Sequence, residues 1–194
     1  MIIGLTGGIG SGKSTVSKLF ETMNCPIYNS DEKAKDLYFK PSIKSSIINL
    51  LGQEAYLNEK EINKTYISKK VFSDDYLLQQ LNQIIHPAVQ EDFTVFKNKY
   101  ASESIIIKET ALLFETDIYK EVAASILVTA PVYLKIERVQ KRNSLPIEEV
   151  EKRMKAQWSD EQKIPLADFI VNNDGDTAII PQVLSILKKL TTNA

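Results

Sequence analysis

Gly7-Gly8-Ile9-Gly10-Ser11-Gly12-Lys13-Ser14 has the spacing G-x-x-x-x-G-K-S, the pattern of a loop that cradles phosphate. Its flanks fit that reading. Met1-Ile2-Ile3-Gly4-Leu5 is an apolar run long enough for a buried strand, and Val16, Leu19 and Phe20 follow at helical spacing. Strand, glycine loop and helix is the order this chemistry needs. The glycines let successive N–H groups, from Gly8 to Thr15, turn toward an anion, and the following helix adds the positive end of its dipole. Lys13 supplies a point charge for β- and γ-phosphates, and the Ser14 hydroxyl is a ligand for Mg²⁺. The stretch therefore predicts a nucleoside triphosphate site built from Gly8, Gly10, Ser11, Gly12, Lys13, Ser14 and Thr15.

Composition narrows what such a site can serve. The 194 residues, 43% of them hydrophobic, suffice for one globular unit with inserted lobes. No apolar run approaches a membrane span, and the chain enters its first strand at once, so neither a membrane anchor nor a cleaved signal peptide is expected. The one cysteine, Cys25, excludes an internal disulfide, fits a reducing cytosol and reads as an apolar filler before a strand. A net charge of −1 with interspersed signs gives no basic stripe for nucleic acid. Arginine is rare: Arg138, Arg142 and Arg153 alone, all in one segment. Its planar fork suits phosphate oxygens, so this segment is a candidate phosphate-facing lobe.

Along the chain, strands alternate with helices. Pro26–Ser30 reads as a second strand ending at Asp31, followed by a helix over Glu32–Phe39. Residues 42–100 show helical spacing only, with Pro87 separating one helix from another over Ala88–Tyr100. Ser104–Lys108 is a continuous apolar strand that leads into Glu109, Ser125–Thr129 is a fourth strand, and Phe169–Val171 a fifth. The predicted fold is α/β, a P-loop kinase with a five-stranded parallel sheet flanked by helices. Its core covers about 1–31, 101–134 and 166–194, with a helical acceptor-binding lobe at about 32–100 and a helical lid at about 135–165.

Phosphoryl transfer needs positioning, charge neutralisation and exclusion of water. Asp31, at the tip of a strand taken to lie beside the first, is placed as general base for an attacking hydroxyl or as the N-cap of the next helix. Glu109 is the carboxylate for metal or acceptor, although Ile-Ile-Ile-Lys-Glu stands where an apolar strand ending in Asp is usual. Arg138 and Arg142, one helical turn apart, are positioned to close over the transferring phosphate. His86, the single histidine, has no companions for zinc and reads either as a structural hydrogen bonder or as part of the acceptor pocket.

The ordered set of segments resembles the dephospho-CoA kinase family. Leu5–Thr15 is similar to that family's extended P-loop, and Asn29-Ser30-Asp31 through Ala34-Lys35 to its Asp-Ala-Asp-x-x-Ala-Arg segment. Leu81-Asn82 with His86-Pro87, Leu112-Leu113-Phe114-Glu115, the series Arg138, Arg142, Arg153, Gln157, and Ala167–Gly175 match further family elements. The resemblance implies transfer from ATP to the ribose 3′-hydroxyl of dephospho-CoA, giving CoA and ADP. Asp31 would act on that hydroxyl, with Lys13 and Arg138 as its catalytic companions. Lys35, His86, Glu109 and Leu112 would contact the acceptor, and Arg142 with Asn173–Gly175 the donor. Asn29, Lys35, Glu109 and Ala111 depart from the family's Asp, Arg, Asp and Pro, and lysine at 35 cannot make a bidentate contact. The cofactors implied are ATP and Mg²⁺, and the expected state is a cytoplasmic monomer. Two rivals remain at this point: a kinase of another small acceptor, and a non-catalytic nucleotide switch, which a guanine-reading Asn-Lys-x-Asp would have favoured and which this chain lacks.

Overall fold

The computed structural model describes residues 1–192. In chain order its principal elements are β1 (Ile2–Thr6), α1 (Lys13–Thr22), β2 (Ile27–Asn29), α2 (Ser30–Leu37), α3 (Pro41–Leu51), β3 (Tyr56–Asn58), β4 (Glu61–Ile62), α4 (Lys64–Phe72), α5 (Asp75–Lys99), β5 (Ile106–Glu109), β6 (Ala124–Thr129), α6 (Val132–Asn143), α7 (Ile147–Lys155), α8 (Asp160–Lys163), β7 (Phe169–Asn172) and α9 (Ile179–Thr192). They form two compact units, one of Met1–Asn29 with the chain from Tyr100 onward, the other of Ser30–Lys99.

The first unit is built on a parallel sheet in the order β2-β5-β1-β6-β7. Its central strands are apolar because helices cover both faces. Ile3, Leu5, Ile107, Ile126 and Val128 are buried with Val16 and Phe20 of α1 and Val183, Ile186 and Leu190 of α9. Each such side chain contributes about 1.5–3 kcal/mol by leaving water. Cys25 is buried in this cluster, and burial pushes its thiol's pKa up, as suits an apolar filler. The strand order corrects one expectation. β2 does not lie beside β1; β5 stands between them, with Glu109 in register with Asn29 on one side and Leu5 on the other. An isoleucine run buried on both faces belongs at the middle of a sheet, and the three-residue β2 is left at the edge. The end of β2 is thus displaced from β1 by two strand spacings, roughly 10 Å.

The second unit packs α2, α3 and α4 around α5, over a core that includes Ile47, Leu51, Ile67, Leu81 and Ile85. Two expectations fail here. Pro87 does not separate two helices: α5 runs unbroken for 25 residues with Pro87 inside it. Its ring removes one backbone hydrogen bond and crowds the carbonyl of Gln83. Leu81, Ile85, Ala88 and Phe93, buried on both sides of the proline, hold the helix together regardless. The unit also contains strands, the antiparallel β3–β4 pair, with Tyr56 opposite Ile62. The turn between them, Glu59-Lys60, is polar, and the strands are too short to show an alternating pattern.

Candidate active site

The chain leaves β1 through a loop that three other segments hold in shape. Gly10 and Gly12 have φ of +79° and +98°, a region that side chains rarely adopt. A Cβ on Gly10 would strike the backbone of Lys135 in α6, and one on Gly12 would strike the amide of Asn173 just after β7. The Asn173 Nδ2 donates to the Ser11 carbonyl at 2.8 Å, and its backbone N–H donates to Thr129 at the end of β6 at 2.9 Å. The Ile9 N–H donates to Oε1 of Gln157, 2.9 Å away, in the segment after α7. The glycines here permit close approach, and the loop is fixed rather than slack.

What remains open is the anion-binding mouth. No side chain caps the N-terminus of α1, and no acidic residue stands in its first turn. The Thr15 and Val16 N–H groups donate to the Gly12 carbonyl at 3.0 and 3.3 Å, and the positive end of the α1 dipole meets no capping side chain. Ser14 and Thr15 are exposed. Lys13 Nζ donates to the Gly7 carbonyl at 2.9 Å, so its ammonium arches back over the loop. Glu109 is buried at the end of β5 and accepts from Ser17 Oγ of α1 at 2.5 Å. Ser17 lies one turn beyond Ser14, which puts this carboxylate beside the loop's exit. The preceding Lys108 is buried too, and burial pushes its ammonium's pKa down, with Glu121 pushing the other way.

The arginines divide. Arg138 Nη2 donates to Asn173, at 3.0 Å to the carbonyl and 3.3 Å to Oδ1, while its Nη1 is buried with no acceptor among the described residues. A buried guanidinium nitrogen without an acceptor, bound to the residue that grips the P-loop, is a place for an anionic ligand. Arg142 does not join it. It is exposed, and its Nε donates to Asn143, so the two arginines form no common clamp in this state. Arg153 pairs with Glu149 at 3.4 Å on the surface.

Two buried ion pairs went unread in the sequence. Lys135 Nζ lies 2.6 Å from Asp160, and the fully buried Lys163 lies 2.8 Å from Glu115, which also accepts from the Trp158 N–H. They fasten α8 to α6 and to the loop after β5. Lys135 carried a weak signal, since it shares the buried face of α6 with Val139; nothing local marked Lys163. Beside the P-loop, these segments enclose about 360 Å³, lined by Gly8, Ile9, Pro131, Met154 and Trp158 among others. Of the other expected residues, Leu112 is exposed in the loop after β5 and Gly175 sits in the turn after β7 with φ of +97°. Asp31, Lys35 and His86 belong to the second unit. Asp31 lies within the first turn of α2, which begins at Ser30, so it is not the N-cap; it is exposed, as are Lys35 one turn later and His86 on α5.

The family model described as CoaE, dephospho-CoA kinase, matches residues 1–178. The chain belongs to the dephospho-CoA kinase family. A dephospho-CoA kinase of Bacteroides fragilis is 39% identical over 186 residues, covering 95% of this chain and 90% of that protein. A crystal structure of a Thermus thermophilus protein superposes with a TM-score of 0.85 at 27% identity, covering 100% of this chain and 97% of that one. A Campylobacter jejuni dephospho-CoA kinase shares the fold with a TM-score of 0.71 at 20% identity, over 99% of this chain and 98% of its own. Dephospho-CoA kinases are P-loop kinases, and the sheet order and glycine loop of this chain are those of that fold. No helix among the described residues is long and apolar enough to cross a membrane.

Proposed function

We propose that this protein transfers the γ-phosphoryl group of ATP to the ribose 3′-hydroxyl of dephospho-CoA, yielding CoA and ADP. One observation carries the proposal: the uncapped start of α1, under a glycine loop pinned by Asn173 and arched over by Lys13, in a chain that matches the dephospho-CoA kinase model over residues 1–178. The loop amides and Lys13 bind the β- and γ-phosphates. Arg138, with a buried nitrogen to spare, faces the charge that builds on the transferring group. Asp31 follows the end of β2 by two residues and accepts the proton of the attacking hydroxyl. As the new P–O bond forms, the bond to the bridging β–γ oxygen breaks, and ADP leaves. The segments around α7 and α8 form the lid that keeps water from the phosphoryl group. Residues Ser30–Lys99 form the acceptor lobe.

Mg²⁺ fits the residues present. Among the described residues, no group of three or more His, Cys, Asp or Glu could hold a metal alone. A cation that keeps most of its waters and binds phosphate oxygens asks only for an exposed hydroxyl such as Ser14, with Glu109 behind it. When bound, Mg²⁺ neutralises charge on the donor phosphates.

The test is an ADP-release assay across acceptors. Dephospho-CoA should support turnover, and activity on nucleoside monophosphates with none on dephospho-CoA would reverse the choice. Asp31→Asn should lower kcat by roughly 10²–10⁴-fold with ATP affinity nearly unchanged; near-normal turnover would remove Asp31 as the base.

A further inference from the structure

Within the second unit, α2 and the β3–β4 hairpin enclose a cavity of about 370 Å³ that the reaction chemistry above leaves unused. Its cationic lining is Lys35 of α2, Lys60 of the hairpin turn and Lys64 at the start of α4. Its apolar lining is Phe39, Leu57 and Ile62. We propose that this cavity holds the diphosphate and the adjoining branched-alkyl arm of the acceptor, with the lysines on the phosphates and Phe39, Leu57 and Ile62 on the alkyl part. The inference rests on dephospho-CoA being the acceptor, and it assigns Lys60, Lys64 and Leu57 a role in acceptor recognition.

Charge is the first argument. Three lysines line the cavity, and among the described residues none has a carboxylate within ion-pair distance. The acids nearby are turned to other partners. Glu61, which also lines the cavity, accepts from Asn58 Nδ2 at 3.2 Å, and Glu59 pairs with Lys44 at 2.7 Å. A cluster of unneutralised lysines around a concave surface repels itself until an anion enters. The second argument is apolar exposure. Leu57 is 59% exposed at the cavity rim, a side chain that the core does not use. Cationic and apolar walls together match a ligand that is part phosphate and part hydrocarbon, as inorganic phosphate or a bare sugar is not.

The walls are also built in advance. Tyr56 Oη donates to the Tyr38 carbonyl, the residue after α2, at 2.7 Å, and the Phe39 ring meets the Tyr56 ring edge-on at 6.1 Å between centroids. Asn63 Oδ1 caps α4 by accepting from the Tyr66 N–H at 3.1 Å. The hairpin, the end of α2 and the start of α4 thus hold one another, and ligand binding need not order them. Register supplies the last argument. Asp31 and Lys35 are four residues apart on α2, one turn and about 6 Å of rise. That matches the span across a ribose from its 3′ oxygen to its 5′ phosphate. A sugar whose 3′-hydroxyl meets Asp31 delivers its diphosphate to the cavity mouth.

The test uses the full chain. Lys60→Gln with Lys64→Gln alters two exposed residues and removes only charge. The double variant should raise KM for dephospho-CoA by roughly tenfold, with KM for ATP within twofold. Leu57→Ser should raise KM for dephospho-CoA alone by a smaller factor. A change below twofold in acceptor KM for the double variant, or an equal rise for both substrates, would overturn the assignment. As a measurement independent of any variant, dephospho-CoA without ATP should slow acylation of Lys35, Lys60 and Lys64 in the wild-type protein, read by mass spectrometry, and leave Lys69 unaffected. Equal labelling with and without the acceptor would also overturn it. If the wild-type protein shows no turnover of dephospho-CoA at all, the functional reading fails first, and the two failures are distinguishable.

Discussion

Replacing Asn173 by alanine should loosen the P-loop from within the protein. The side chain donates to the Ser11 carbonyl at 2.8 Å and accepts from Arg138 at 3.3 Å, and the residue is buried. Alanine leaves the Ser11 carbonyl without that donor and weakens the hold on Arg138, which already has one buried nitrogen without an acceptor. A buried polar group stripped of its partner costs about 1–3 kcal/mol. The longer Arg138 bond stands at the weak end, so the two losses together come to about 2–4 kcal/mol. At this chain length that lowers Tm by roughly 5–15 °C. Thermal unfolding with and without ATP, together with calorimetric ATP titration, reads both consequences. Affinity for ATP should fall, because binding must now supply the order that the amide provided. Asn173→Asp sharpens the test. It keeps an oxygen for Arg138 but turns a carboxylate toward the Ser11 carbonyl, so ATP should bind at least as poorly as to the alanine variant. A Tm loss under about 2 °C with unchanged ATP affinity would refute the idea that this amide shapes the loop.

Pro87→Ala should stabilise the protein by about 1–3 kcal/mol, because Pro87 is exposed within a continuous helix and alanine restores a backbone donor; an unchanged or lower urea midpoint would count against the strain. Lys163→Met should destabilise by about 3–5 kcal/mol, since Glu115 is left nearly buried without its cation, and adding Glu115→Gln should recover much of the loss; additive losses in denaturant titrations would dismiss the coupling. The Asp174 carboxylate is held below its usual range first by the Thr177 N–H, then by the Thr177 hydroxyl. Its stabilising contribution is therefore present above the ordinary aspartate value near 4 and is lost as pH falls through its lower folded value. The Tm gap between wild type and Asp174→Asn should close on acidification, and a pH-independent gap would contradict this.

The P-loop could be read from sequence because its chemistry is local: consecutive residues, one strand before and one helix after. Strands β1, β5 and β6 were legible for a similar reason, their isoleucine- and leucine-rich runs being suited to a covered sheet. Strand order was not, since nothing in Ile27-Tyr28-Asn29 states that β5 rather than β1 is its neighbour. The β3–β4 hairpin escaped because its strands are too short to establish a period, and α5 was cut at Pro87 because local propensity yielded to packing on both sides. Asn173 was read as a donor contact on resemblance, but its grip on Ser11 was not foreseen, because a contact across 162 positions leaves no local trace. Lys135–Asp160 and Lys163–Glu115 were hidden for the opposite reason: in a chain with 24 basic and 25 acidic residues, a buried lysine looks like every solvated one.

The position of β1 has a bearing on how the chain comes off the ribosome. Ile3 pairs with Ile107 on one side and with Ala124 on the other, so the first strand made has no sheet partner until more than a hundred residues have followed. At about 5–20 residues per second, the Met1–Leu5 segment spends roughly 5–20 s as an apolar stretch without a home. Residues Ser30–Lys99, whose contacts are nearer in sequence, are complete shortly before that wait ends. Nascent-chain capture by a holdase should therefore centre on the N-terminal segment rather than on the helical one.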